Sequence, residues 1–186
     1  MIRTLALGCA LLLAVVPASA QMDVPVGSPV SLQLGLGGGV SLPTGDLADV
    51  YNTGWHAGGK LRIGGSIPFN ILATGMYNSL PEKAVDQSDN QLILGAGLEF
   101  PIPSVGVHPY FGADVLYVHT NNEGTGTSSF SRGGLGVGAG VEFTIPAFGS
   151  FDTSVKYQFL NLMGKEEGEG TASQVAATVA IMIGLL

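Results

Sequence analysis

The stretch Val30-Ser31-Leu32-Gln33-Leu34-Gly35-Leu36-Gly37-Gly38-Gly39-Val40-Ser41-Leu42 decides the fold. Val30, Leu32, Leu34, Leu36, Val40 and Leu42 share one parity, while Ser31, Gln33, Gly35, Gly37, Gly39 and Ser41 occupy the other. A helix would wind these apolar side chains around its axis, whereas a strand sends successive residues to opposite faces. The segment is therefore a ribbon with one apolar face and one polar or bare face. Its alternation outlasts the roughly 5 to 6 residues of an ordinary globular strand.

The same pattern recurs down the chain. Trp55, Ala57, Leu61 and Ile63 alternate with His56, Gly58, Lys60 and Arg62. Leu92 to Phe100, Val107 to Tyr117, Leu135 to Phe143, Phe151 to Phe159 and Val175 to Ile183 behave alike. Phe69 to Asn78 is less regular, because Leu72 and Met76 fall on its polar parity. With it the count is eight strands. Residues 67–70, 101–106 and 146–150 give short, Pro- and Gly-rich connections, and residues 43–54, 79–90, 121–131 and 164–171 give longer polar ones. Gly95–Pro103 recurs weakly as Gly138–Pro146, one hairpin unit later.

Alternation alone does not separate a soluble barrel from a membrane one, but the faces do. The chain of 186 residues is 46% hydrophobic and only 11% charged, with 29 glycines, against about 25% charged residues in a soluble domain. Glycine dominates the polar parity, which suits a crowded lumen better than a water-facing surface. Within the strands the apolar parity is almost free of charge, as hydrocarbon requires. Phe69, Phe100, Phe143 and Phe151 lie beside the short turns and Trp55, Tyr77 and Tyr117 beside the long loops, as two interfacial aromatic girdles would. The expected fold is all-β, an eight-stranded antiparallel up-and-down transmembrane β-barrel with short turns at one end and long loops outside.

Residues 1–20 read as a signal peptide. Arg3 precedes an apolar run, Pro17 ends it, and Ala18-Ser19-Ala20 offers small residues for cleavage. Residues 21–29 form a short lead-in and residues 30–186 the barrel. Cys9 falls inside the removed segment and is the chain's only cysteine, so no disulfide or thiolate metal site is expected. The excess of 14 Asp+Glu over 7 Lys+Arg argues against nucleic acid as a partner.

His108-Pro109-Tyr110-Phe111-Gly112-Ala113-Asp114-Val115-Leu116-Tyr117 resembles a strand opening of the small outer-membrane barrels of the OmpA/OmpX and opacity-protein type. Gly37-Gly38-Gly39-Val40-Ser41-Leu42-Pro43-Thr44-Gly45 is similar to their first strand and loop. The sequence departs from the pattern at Asp114, where glycine is commoner, and at Leu186, where many such chains end in an aromatic. The resemblance implies an outer-membrane location, outer-membrane lipid and lipopolysaccharide as surroundings, and the outer-membrane assembly machinery as a partner. It also implies loops available to an extracellular ligand or a host or cell-surface partner.

The polar parity carries Lys60, Arg62 and Lys156 against Glu99, Asp114, Glu142 and Asp152. An eight-stranded barrel is just wide enough for its side chains to fill, and an unpaired buried charge costs several kcal/mol, so these seven are expected to pair into a lumen charge network. Strand order places Lys60 and Arg62 across from Gly134, Gly136, Gly138 and Gly140, so the glycines are expected to make room for those two cations. His108 is expected to pair with Glu99, and of the histidines only His56 and His119 are expected to come near each other. No metal site, cofactor or phosphate loop is expected; the Gly-x-Gly runs lack the Lys-Ser/Thr that a phosphate loop needs.

Three functions fit this pattern. The leading one is a non-enzymatic barrel with a structural or surface-interaction role through its extracellular loops. The second is a narrow porin-like channel for small solutes. The third is a membrane-embedded lipid-modifying enzyme, which needs a nucleophile, a base and an orienting acid near the outer interface; Thr120, Asn121 and Asn122 directly after His119 supply no serine partner, and no catalytic residue is assigned.

Overall fold

The structure is a computed structural model that describes residues 30–65, 67–121, 129–146 and 148–185. The signal peptide, the lead-in and Leu186 lie outside the described residues. Eight strands follow in order: β1 (Val30–Gly45), β2 (Gly54–Gly65), β3 (Asn70–Pro81), β4 (Ser88–Pro101), β5 (Val107–Asn121), β6 (Phe130–Ile145), β7 (Gly149–Met163) and β8 (Ala172–Gly184). A short helix, α1 (Asp46–Val50), joins β1 to β2. Every strand pairs antiparallel with its sequence neighbour, and β1 pairs with β8. The sheet is a closed barrel without an edge, which is how strands satisfy their backbone groups in lipid.

The side-chain period fixes which residues meet lipid and which meet each other. On β1, Leu34, Leu36, Val40 and Leu42 are exposed on the outside while Ser41 is fully buried inside. The inversion is general. Val115, Val137, Val155 and Ile181 are each more than half exposed, yet Arg62, Glu99, Asp114 and Asp152 are at most 5% exposed. An aliphatic exterior around a charged interior is the reverse of a soluble core and is the arrangement of a transmembrane barrel.

The strands overrun their expected outer ends. β3 continues to Pro81 and β4 begins at Ser88, because Asn78–Gln91 and Ser79–Asn90 keep pairing across the two strands. Leu72 and Met76, the irregular residues of β3, point into the lumen with their strand's parity. Met76 there packs on a buried apolar cluster of Ile93, Leu116, Val118 and Leu160, together with Leu47 of α1 and Ala172. The lumen is therefore ionic toward the short turns and partly apolar toward the loops.

Candidate functional site

The floor of the lumen lies near the short-turn ends of β2, β4, β6 and β7. Arg62 is its centre. Its Nε lies 2.7 Å from Glu99 Oε1, its Nη2 3.4 Å from Asp152 Oδ2, and its Nη1 donates to Gln33 Oε1 at 2.8 Å and to Glu142. Lys60 Nζ lies 3.0 Å from Glu99 Oε2 and 3.3 Å from Asp152 Oδ2. Three carboxylates thus converge on two cations in a layer that is almost wholly buried. Ser150 donates to Glu142, and Asn70 Nδ2 donates to Glu99 Oε1 at 3.4 Å.

Tyr110 is the floor residue that sequence reasoning missed. Its ring lies 4.5 Å from Lys60 Nζ and 5.5 Å from the Arg62 guanidinium carbon. Its hydroxyl donates to Asp152 at 2.8 Å and accepts from Lys60 Nζ at 3.1 Å. One aromatic ring thus lies against both cations and relays a hydrogen bond from Lys60 to the carboxylate they share. The signal was present as inward parity on β5, but an uncharged side chain did not mark it as part of a charge network.

The β6 glycines serve other partners than Lys60 and Arg62. A Cβ at Gly140 would strike the Tyr110 phenol, one at Gly136 would strike Asp114, and one at Gly138 would crowd Lys156. The reason is register: Tyr110 faces Gly140 and Asp114 faces Gly136 across β5 and β6, and Gly138 faces Lys156 across β6 and β7. Lys156 and Asp114 form a second ion pair at 2.6 Å, one level above the floor. His108 stands beside Glu142 and not Glu99, which faces Gly112.

Above the floor is a chamber of about 110 Å³, lined by Lys60, Tyr110, Asp152, Asp114 and Lys156 below and beside, and by His56, Gln158, Thr178, Met76 and Ile93 above. At a liquid share of about 30 Å³ per molecule it has room for a few waters. His56 is held on both ring nitrogens, by Ser41 Oγ at 3.0 Å and Thr178 Oγ1 at 2.9 Å. Four amides cross the lumen nearby: Asn78 donates to Gln91 at 3.0 Å and to Gln174 at 3.2 Å, and Gln174 donates to Gln158 at 2.8 Å.

Among the described residues, contacts at the outer mouth tie α1 and the loops to one another and to the strands. Leu47 sits on the apolar cluster, and Asp46 accepts the Thr171 amide at 2.8 Å. Lys83 donates to the Ala48 carbonyl at 2.5 Å. Tyr51 donates to Asp89, and burial followed by that carboxylate raises its phenol well above its ordinary pKa. Asn161 and Arg132 fasten Glu169, at 2.9 and 3.2 Å. Burial alone would raise the Glu169 carboxyl, but hydrogen bonds from Asn161, the Glu166 amide and Arg132 outweigh it and lower it.

Contacts and pairings join several of the exterior aromatics near the strand ends. Trp55 and Tyr77 are 5.8 Å apart toward the loops, where Tyr117 is half exposed. Phe69 lies 6.0 Å from Phe100 toward the turns, and Phe100 stacks at 5.2 Å on Phe111, an addition to that row. Phe143 and Phe151 face each other across β6 and β7. His56 and His119 do not meet: His56 faces the lumen and His119 the outside, where its Nδ1 lies 3.0 Å from Ser131 Oγ. Among the described residues no cluster of His, Cys, Asp and Glu could hold a metal.

A family model described as an outer membrane protein beta-barrel domain matches residues 8–181. No curated protein matches the chain by sequence. Among solved structures, neisserial surface protein A (NspA) is 18% identical, covers 83% of this chain and 97% of its own, and superposes with a TM-score of 0.55. The N-terminal β-barrel domain of Pseudomonas aeruginosa OprF gives 13%, 82%, 97% and 0.55. Ail, the attachment invasion locus protein of Yersinia pestis, gives 14%, 84%, 100% and 0.52. Ail has also been solved in complex with the heparin analogue sucrose octasulfate. At these identities the likeness shows the fold.

Proposed function

Since the chain belongs to the outer membrane protein beta-barrel family, we propose that it is a non-enzymatic barrel of the outer membrane that works through its outward-facing loops. The observation that carries this reading is the obstructed lumen: an ionic floor below the chamber, and the apolar cluster with Leu47 above it. The seven lumen charges then act as a packed plug that holds the wall together, and the two aromatic rows set its depth in the bilayer. Loops held in place by hydrogen bonds, as Asp46–Thr171 and Lys83–Ala48 are, present a defined surface to a partner.

That surface is acidic. Asp46, Asp49, Glu82, Asp86, Glu166, Glu167 and Glu169 stand there against Lys83, Lys165 and Arg132. The charge is the wrong sign for a polyanion such as the one bound to Ail, so the partner we propose carries positive charge. The test is binding of a pentalysine peptide to the detergent-folded chain, beside Asp49→Asn, Asp86→Asn and Glu167→Gln combined, three exposed loop positions. Salt-sensitive binding that the triple variant loses while still folding is the expected result; equal binding by both proteins, or by neither, refutes the reading. The glycine-walled chamber favours a second reading, a narrow channel, which planar-bilayer conductance tests directly.

A further inference from the structure

The lipid-facing side of the barrel is largely apolar below its outer rim, and one polar group on that rim is left open. Tyr117 and His119 on β5 and Ser131 on β6 share the outward parity, and His119 faces Ser131 directly across the two strands. The Tyr117 hydroxyl lies 2.9 Å and His119 Nδ1 3.0 Å from Ser131 Oγ. A serine hydroxyl has one proton. When it donates to His119 Nδ1, Tyr117 donates to the serine, and the neutral imidazole then carries its proton on Nε2. In either tautomer Nε2 has no protein partner among the described residues and stands on the face that meets the outer leaflet.

The surroundings select the ligand. Below the trio the outward residues are Leu92, Leu94, Val115, Leu135 and Val137, and Gly133 beside Tyr117 presents no side chain. The outward parity of β4, β5 and β6 carries no lysine, arginine or carboxylate, so nothing there recognises a bare phosphate. What remains is an aromatic ring, an open imidazole nitrogen and a phenol oxygen with a free lone pair, above an apolar wall. Those are the groups that a sugar with hydroxyl and amide substituents uses, carried on acyl chains. β7 also breaks register beside this patch, between the Gly133 and Leu135 pairings, and such irregularities commonly re-aim side chains at sites.

We propose that Tyr117, His119 and Ser131 form the seat for the saccharide headgroup of an outer-leaflet glycolipid, whose acyl chains lie against Leu92, Leu94 and Leu135. The proposal rests on the outer-membrane reading above but not on what the loops bind. The test is native mass spectrometry of the detergent-folded chain after incubation with rough lipopolysaccharide or with phosphatidylethanolamine. Its variants are Ser131→Ala with His119→Leu, Tyr117→Phe, and Thr153→Val as an outward hydroxyl elsewhere on the wall. The expected result is retention of lipopolysaccharide, cut about tenfold by the double variant, reduced by Tyr117→Phe and unchanged by Thr153→Val. Retention of phosphatidylethanolamine to the same extent, equal loss in Thr153→Val, or undiminished lipopolysaccharide in the double variant overturns the seat. Detergent-phase retention is independent of pentalysine binding, so the two readings fail separately.

Discussion

Gly140 and Tyr110 face each other across β5 and β6, and the bare Cα of the glycine is what lets the phenol lie across the lumen to Asp152. A methyl group there would meet the ring and the Thr153 carbonyl. Gly140→Ala is therefore expected to destabilise the barrel by about 1–3 kcal/mol, the range for overpacking. The loss is read as a lower urea midpoint for the heat-modifiable form on gels. An unchanged midpoint would mean that Tyr110 has another place to lie.

Arg62 neutralises more of the floor than any other residue, because Glu99, Glu142 and Asp152 all lean on it. Arg62→Ala leaves buried carboxylates with Lys60 alone and is expected to lower stability by about 3–5 kcal/mol. In planar bilayers the parent chain is expected to stay silent while the variant shows small openings. Openings of equal size in both proteins would favour the channel reading.

Leu47 packs on the apolar cluster below the outer mouth. Leu47→Asp puts a charge against Leu116, which is otherwise buried, and is expected to lift α1 away from the lumen. A Leu116→Cys reporter should then react faster with a membrane-impermeant maleimide added from the loop side than it does with Leu47 intact. Equal rates would place the closure elsewhere.

Glu169 ties loop 164–171 to Asn161 and Arg132, and its pKa in the fold lies below its ordinary 4.5. A depressed carboxyl contributes stability that is present above its unfolded value and lost as pH falls through its folded value. Amide exchange in this loop is therefore expected to stay slow near about pH 7 and to quicken below about pH 4, after correction for intrinsic rates. Glu169→Gln should be fast at both and show little further change.

The alternation from Val30 to Leu42 and its repeats determined the eight strands, the faces and the membrane setting, because a period of two is a local property of the backbone and the sign of each face follows from residue type. Inward parity likewise placed all seven lumen charges on one side of the wall. Partner choice within the lumen came only with tertiary structure. Strand tilt and register decide the height at which each side chain crosses the barrel, so the glycines of β6 serve Tyr110, Asp114 and Lys156, and Glu99 meets Arg62 instead of His108. The same holds outside the wall, where Ser131 meets His119 through pairing across two strands, a closeness that no spacing along one strand encodes.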